Sequence, residues 1–296
     1  MDAILEVLVA GIMLGGIYGL VSIGLNLIFG VIRIVNFAQG ELVMLGMYGT
    51  YAFSTILGVG PYWAALAVVP ALFVAGLALQ RGLLQPLQNE PSMQIFATFG
   101  VLIALENMVL VATRGETYSL ATEVSSAVVS LGIAKVSVTR VVVLVATTAI
   151  AAGLLLFLRH TMAGKSVRAV IQDRQAARLM GIDVERTYLL TFGLGAALAG
   201  LAGVMLAPIY TLSPYVGGNF IMAAFAVVVL GGLGSVAGAY IGGFVVGIVE
   251  AFAGYYVDPA LKQAIWFLIF LAVLVVRPSG LMGRVGAEEI GLRTQH

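Results

Sequence analysis

The feature that most constrains this chain is a series of apolar stretches that follow one another with few polar residues between them. Crossing the hydrocarbon of a bilayer takes about 20 mostly apolar residues per helix. The predicted spans cover residues 7–29, 42–58, 62–80, 94–112, 140–158, 188–208, 220–254 and 260–277. Of the 296 residues, 61% are hydrophobic and only 10% are charged, which is more apolar surface than one water-soluble core can bury. The sequence therefore predicts an all-α integral membrane protein. Residues 1–296 form one transmembrane domain with about eight or nine helices, some of them broken or re-entrant.

The composition disfavours several classes of function. The chain has no cysteine, so it offers no disulfide, thiolate ligand or redox centre, and its two histidines lie outside the spans. No metal site is therefore expected. A formal net charge of +1 argues against a surface for nucleic acid. Clustered histidines, paired carboxylates and serine-based constellations are missing from the sequence pattern, so no catalytic residue is assigned and an intramembrane enzyme is disfavoured.

One apolar stretch, residues 220–254, is too long for a single crossing. It carries Gly231, Gly232, Gly234 and Gly238 at its middle, where helix propensity is poorest. The sequence therefore predicts two short segments or a re-entrant pair in this stretch.

Basic residues indicate which loops face the cytoplasm, because Lys and Arg near the ends of spans are retained there. The segment 159–187 holds six Lys and Arg residues and is predicted to be a cytoplasmic coupling loop. The tail, with Arg277, Arg284 and Arg293, is expected on the same side. Four crossings then separate the loop from the tail, which agrees with a split of the long apolar stretch. Counting backwards makes residues 113–139 an external loop and places the amino terminus outside.

A polar segment interrupts the apolar pattern between the first two spans. Within residues 31–41 (VIRIVNFAQGE) the polar and charged residues are Arg33, Asn36, Gln39 and Glu41. Gly30 and Gly40 are expected to break the helices at its edges. At membrane depth Asn36, Gln39 and Glu41 would line a substrate pathway, since freed backbone groups are tolerated there only beside protein or a water-filled cavity. An ordinary cytoplasmic turn explains the hydropathy pattern equally well.

Two further polar residues, Glu106 and Asn107, lie inside the apolar run 94–112. Such groups are costly in lipid and usually face the interior of a bundle. Both are therefore assigned to the substrate pathway, with interhelical hydrogen bonding as the alternative. Glu250 ends another apolar run and is assigned to the membrane interface, without a role in transport.

Glycines recur at a spacing of four residues in two parts of the chain. Gly11, Gly15 and Gly19 form one such stripe, and Gly243 and Gly247 form another. Small residues at this spacing allow close approach of membrane helices, so the stripes are predicted to be packing surfaces.

Residues 165–183 (KSVRAVIQDRQAARLMGID) of the cytoplasmic coupling loop predict a short amphipathic helix. Asp173 is expected to be an N-cap, and Gly181 to be the C-terminal stop. Such a helix can dock into a groove of a soluble partner and transmit rigid-body motion. The residues assigned to coupling with an ATPase are Asp173, Gln175, Ala176, Ala177, Leu179 and Gly181. A solvated loop on anionic headgroups fits the arginines equally well.

The chain itself is not expected to bind ATP or another cofactor. Gly164, Lys165 and Ser166 look like the end of a P-loop, but Arg159 stands where the first glycine belongs. An apolar span precedes the sequence where a P-loop needs a core strand. Any ATP must therefore be bound by another chain.

Four separated segments occur in one order along the chain: GLNLIFGVIRIVNFAQGELVMLG, RAVIQDRQAARLMGID, VVVLGGLGSVAGAYIGG and VRPSGLMG. Together they resemble the permease family of branched-chain amino-acid ABC importers. In that family the cytoplasmic loop is related to the EAA motif, which docks on the ATPase. The matching residues are Gln175, Ala176, Ala177 and Gly181, with glutamine in place of glutamate and no match to the later I-x-L-P portion. Family members commonly carry histidine at the position of Gln39, so the polarity of the pathway differs here.

The resemblance implies a bacterial inner-membrane permease that works with three kinds of partner. These are a second homologous permease chain, two ATP-binding cassette subunits that hold the ATP, and a periplasmic solute-binding protein. The solute would be a branched-chain amino acid or a related small polar or carboxylate molecule. Since the family also imports urea, short-chain amides and aromatic acids, those solutes stay open. A secondary transporter that uses Glu41 and Glu106 for ion coupling is the alternative mechanism.

Overall fold

The computed structural model describes residues 2–120, 128–130, 135–277 and 280–283. In these ranges the chain is a bundle of helices, which confirms the predicted all-α membrane architecture. The helices are α1 (Asp2–Ile32), α2 (Gln39–Leu57), α3 (Ala65–Leu79), α4 (Pro91–Thr113), α5 (Val138–His160), α6 (Met162–Gln172), α7 (Arg174–Leu179), α8 (Val184–Leu206), α9 (Val216–Gly231), α10 (Val236–Tyr256) and α11 (Lys262–Val276). Two short strands, β1 (Val128–Ser130) and β2 (Lys135–Ser137), pair antiparallel inside the predicted external loop.

Length and composition identify the spans. Among the described residues, six helical segments are long and apolar enough to cross a membrane. They are Ala3–Ile32, Pro61–Leu87, Pro91–Thr113, Val138–His160, Val184–Leu206 and Val236–Tyr256, and the shorter apolar helices are Val216–Gly231 and Lys262–Val276. The segment 61–87 is α3 extended by short 3₁₀ and π-helical turns at its ends.

The glycine stripes form the contact between α1 and α10. A Cβ at Gly11 would lie 2.7 Å from the Cα of Ile248, and one at Gly15 would lie 2.6 Å from the Cα of Phe244. The residue numbers rise along α1 as they fall along α10, so the two helices run antiparallel. Backbones this close are possible only because the stripe has no side chains, which confirms the prediction of a packing surface.

The predicted break in residues 220–254 lies between α9 and α10, at Gly232–Ser235. The buried side chain of Asn26 on α1 satisfies its freed backbone groups. The Asn26 amide donates to the carbonyl oxygens of Gly232 (3.3 Å) and Ser235 (2.7 Å), and its oxygen accepts from the amide of Gly234 at 2.6 Å. A helix break inside a membrane protein is tolerated where another element supplies such partners.

The coupling loop and the start of the tail lie at the same end of the bundle, which we call the basic end. Ile171 of α6 lies beside Gly30 near the end of α1. Gly30 also lies beside Gly234 in the break that follows α9. Near that break, the backbone amide of Leu281 in the tail donates to the carbonyl of Leu230 in α9 at 2.8 Å. The amino-terminal end of α1 therefore lies at the opposite end, about 46 Å away for a helix of 31 residues. Arg284 and Arg293 of the tail and parts of the external loop fall outside the described residues.

Candidate functional site

The chain turns back into the bundle immediately after α1. Helix α1 ends at Ile32, Arg33 takes a left-handed conformation with φ of 63°, and α2 begins at Gln39. The prediction that Gly30 and Gly40 break the helices is wrong, because both lie within helices. Their role is close packing instead: Gly30 lies against Gly234, and Gly40 lies against the backbone carbonyl of Gly217.

The beginning of α2 is deep in the bundle. The Gln39 side-chain amide donates to the backbone carbonyl of Gly195 at 3.1 Å, and residue 195 is midway along α8. A Cβ at Gly24 would lie 2.6 Å from this amide nitrogen, so the glycine leaves room for the contact. Asn36, Gln39 and Glu41 are each 0% exposed. The segment is therefore re-entrant in this structure and does not form an exposed turn.

Hydrogen bonds inside the protein occupy the two amide side chains. The Asn36 amide donates to the Gln39 side-chain oxygen at 3.2 Å, and the Asn36 oxygen accepts from the amide of Ala38 at 3.2 Å. The Thr98 hydroxyl of α4 contacts the backbone of Phe37 at 3.4 Å. These bonds hold the start of α2 in place, so Asn36 and Gln39 shape the site as well as offering it polar atoms.

Glu41 differs from its two neighbours because its carboxylate has no such partner. Both oxygens are buried and form no hydrogen bond with any described residue. The first turn of α9 presses on this group, since a Cβ at Gly217 would lie 2.6 Å from its Cδ atom. Glu106 of α4 is close enough to interact with it electrostatically. A buried carboxylate without a partner is costly, and in a membrane protein it commonly marks a solute or ion pathway.

The structure separates the two polar residues of α4. Glu106 is half-buried and lies within electrostatic range of Glu41. Asn107 is exposed, and its amide donates to the carbonyl of Ile103 one turn earlier, at 2.8 Å. The expectation that Asn107 faces the interior of this chain is wrong, because α4 has few buried positions and leaves most of its surface uncovered.

The coupling loop contains two helices. The short helix predicted between Asp173 and Gly181 is α7, and a separate helix, α6, precedes it where none was predicted. Asp173 takes an extended conformation between α6 and α7 and breaks the helix. Its carboxylate accepts from the backbone amides of Gln175 (2.8 Å) and Ala176 (3.0 Å), which confirms it as an N-cap. Gly181 ends the motif at φ of 80°, as predicted.

The short helix α7 presents two kinds of surface. Ala177 is 4% exposed and packs on this chain, whereas Leu179 is 89% and Met180 is 82% exposed. Gln175, Ala176 and Gly181 are exposed as well. The Arg174 guanidinium lies 5.5 Å from the ring centre of Tyr188, which ties α7 to α8. A partner would therefore contact Leu179 and Met180, while Ala177 packs against the rest of this chain and holds the helix in place.

The sequence reasoning missed one charged cluster at the opposite end. Glu250 does not lie free at the membrane interface: it is buried, bonded to the Tyr18 hydroxyl at 2.8 Å and paired with Lys262 at 3.0 Å. An ionisable residue in an apolar run calls for a partner, and Lys262 at the start of the next helix was the available signal.

Comparison with known proteins places these features in a family. Residues 7–274 match the family described as the permease component of branched-chain amino acid transport systems. The chain is 32% identical over 295 residues to the high-affinity branched-chain amino acid permease protein LivH of Escherichia coli (strain K12), covering 95% of this chain and 96% of that protein. It is 30% identical to the corresponding protein BraD of Pseudomonas aeruginosa, covering 97% and 98%.

A solved structure shares the fold. PsaBC from Streptococcus pneumoniae, in complex with Fab, matches with a TM-score of 0.51 and 14% sequence identity. The match covers 93% of this chain and 91% of that one. At this identity the likeness supports the helical architecture alone.

Proposed function

This chain belongs to the permease family of branched-chain amino acid transport systems, and from that premise we propose that its solute passes the buried carboxylate of Glu41. The chain is the multi-pass, inner-membrane permease component of an ABC importer. The proposed solute is a branched-chain amino acid or a related small polar molecule, as the names of its relatives suggest.

The observation that carries the pathway proposal is the environment of Glu41. It stands in the first turn of a helix that begins at mid-depth, with Gln39 bonded to α8 and Gly217 of α9 packed against its carboxylate. Discontinuous helices that begin inside a bundle commonly line the solute sites of transporters. A small shift of α9 away from α2 would uncover Glu41 and open this region to a solute. We expect the present arrangement to be a closed one.

Two exposed surfaces support the proposed partners. Asn107 lies on the uncovered side of α4, where an amide facing lipid is unfavourable, so a second permease chain is the expected cover. Leu179 and Met180 project from the basic end and suit a groove on an ATP-binding cassette subunit. ATP is then held by those subunits, and a periplasmic binding protein delivers the solute to the opposite end.

The test is solute uptake by the complete complex in proteoliposomes. Radiolabelled L-leucine should accumulate only with ATP, the two ATP-binding subunits and the binding protein, and it should continue after ionophores collapse all ion gradients. A complex with a catalytically inactive ATPase is the matched control. Uptake that stops with the ion gradient and continues without ATP would instead support a secondary transporter that uses Glu41 and Glu106. Urea, a short-chain amide and benzoate serve as competing solutes to test the other chemistries.

A further inference from the structure

A cavity of about 420 Å³ opens at the end of the bundle opposite the coupling loop. It lies between the first half of α1, the start of α5, the end of α10 and the start of α11. Its volume is within the range of sites for small molecules, about 300–1,000 Å³. The cavity is separate from the region of Glu41, since neither Glu41 nor Gly217, which packs against its carboxylate, is among the lining residues.

One wall of the cavity carries fixed charge. The Glu250 carboxylate accepts a hydrogen bond from Tyr18 at 2.8 Å and pairs with the Lys262 ammonium at 3.0 Å. The Glu250 side chain is 5% exposed, but that of Lys262 is 42% exposed. Tyr18 therefore holds the Glu250 carboxylate in place from within the bundle. The Lys262 ammonium can move into solvent, which leaves one carboxylate oxygen of Glu250 free to accept a hydrogen bond.

The cavity lining also includes a second cationic side chain. Arg140, in the first turn of α5, lines the cavity together with Glu250 and Lys262. Among the described residues its guanidinium forms no ion pair. Arginine binds carboxylates through two parallel hydrogen bonds, so a free guanidinium in a cavity is suited to a ligand of that kind.

Much of the remaining lining is apolar. It includes Met13, Leu14 and Ile17 of α1 and Ile209 from the turn after α8. Aliphatic side chains beside one anionic and one free cationic group match a zwitterion that carries a hydrocarbon side chain.

We propose that this cavity is a binding site for an aliphatic α-amino acid at the entrance of the pathway. The ligand carboxylate binds Arg140, its ammonium group binds Glu250 in place of Lys262, and its side chain lies on Leu14 and Ile17. This proposal rests on the proposed function, because it identifies where the delivered solute is held before it reaches Glu41.

The chain has no cysteine, so a single engineered thiol reports on the cavity alone within this subunit. We would place one thiol inside it with Leu14→Cys and one outside it with Val257→Cys, a residue that is 63% exposed at the same end. Each variant is assembled with its partner subunits in nanodiscs, without the binding protein. The rate of maleimide modification on this chain is followed by mass spectrometry.

L-leucine should slow modification at position 14 severalfold and leave position 257 unchanged. Isoamylamine, which lacks the carboxylate, and isocaproate, which lacks the ammonium group, should each protect much less. Arg140→Gln should abolish protection by leucine, whereas Arg114→Gln, which changes an arginine at the same end outside the cavity, should preserve it.

Three outcomes would overturn the proposal. They are no protection by saturating leucine, equal protection by isoamylamine, and protection that follows the anionic lipid content while ignoring leucine. ATP-driven leucine uptake is measured for the same complexes in the presence of the binding protein. If ATP-driven uptake continues but leucine does not protect the thiol at position 14, the assignment of the cavity fails and the proposed function stands. If the complex without engineered thiols shows no ATP-driven uptake, the proposed function fails as well.

Discussion

The side-chain amide of Gln39 donates a hydrogen bond to the backbone carbonyl of Gly195 across 3.1 Å. Gly195 is midway along α8, so this bond fixes the start of α2 in the interior of the bundle. The consequence is that Glu41, two residues later, is held away from both ends of the protein. A short polar segment thereby becomes the centre of the proposed pathway.

We predict that Gln39→Ala loosens the start of α2. The substitution removes the donor to Gly195 and the acceptor for Asn36, and losing a buried hydrogen bond costs about 1–3 kcal/mol. The purified complex should unfold at a lower temperature in the same detergent, and its leucine uptake should fall. The matched control is Gln85→Ala, which removes only an exposed bond to Glu185 and should leave both measurements nearly unchanged. Equal stability of the two variants would contradict the prediction.

Local sequence signals predicted some of these features well. The break at Gly232–Ser235 follows from glycine propensity, and the N-cap at Asp173 follows from the chemistry of that one side chain. Such signals act within a few residues, so they can be detected without knowledge of the packing. The end of α1 at Ile32 was not predicted, because the glycines nearby serve helix packing and do not break the chain.

Contacts between distant residues were not predictable in the same way. Tyr18 and Glu250 are 232 positions apart, and Gln39 and Gly195 are 156 apart. A hydropathy pattern gives the polarity of each residue but not its partner or its depth. The roles of Asn36, Gln39, Glu41 and Glu106 in transport therefore remain predictions.

We predict that Gly217→Ala disturbs the Glu41 site. A methyl group at this position would lie 2.6 Å from the Glu41 Cδ, so α9 must move or the carboxylate must turn. Overpacking of this kind costs about 1–3 kcal/mol, and we expect slower uptake together with lower thermal stability. Gly218→Ala is the control in the next position, where a methyl group has no neighbour within 4 Å. Identical transport by both variants would separate Gly217 from the pathway.

We predict that Gly247→Ala weakens the contact between α1 and α10. A Cβ there would lie 2.6 Å from the carbonyl oxygen of Gly11, and the opposing surface is backbone that cannot turn away. The variant should show a lower unfolding temperature and poor recovery from membranes. Gly153→Ala on α5 meets no atom within 4 Å and should be neutral or stabilising, by about 0.5–1 kcal/mol for glycine to alanine in a helix. A stable Gly247→Ala variant would show that the two helices can separate freely.

The last prediction concerns the exposed end of α7. Leu179 and Met180 are 89% and 82% exposed, so their substitution cannot remove packing within this chain. Leu179→Ser with Met180→Ser should therefore leave the unfolding temperature of the isolated permease unchanged and reduce its retention of the ATP-binding subunits. Met162→Ser, at a residue 77% exposed at the start of α6, matches the Met180→Ser change alone in hydrophobic loss and should retain those subunits. Solute-stimulated ATP hydrolysis should fall with retention, because the motion of the ATPase can reach the membrane only through a docked surface. Normal retention and stimulation in the double variant would show that the partner contacts a different surface, and Leu179 would no longer be assigned to coupling.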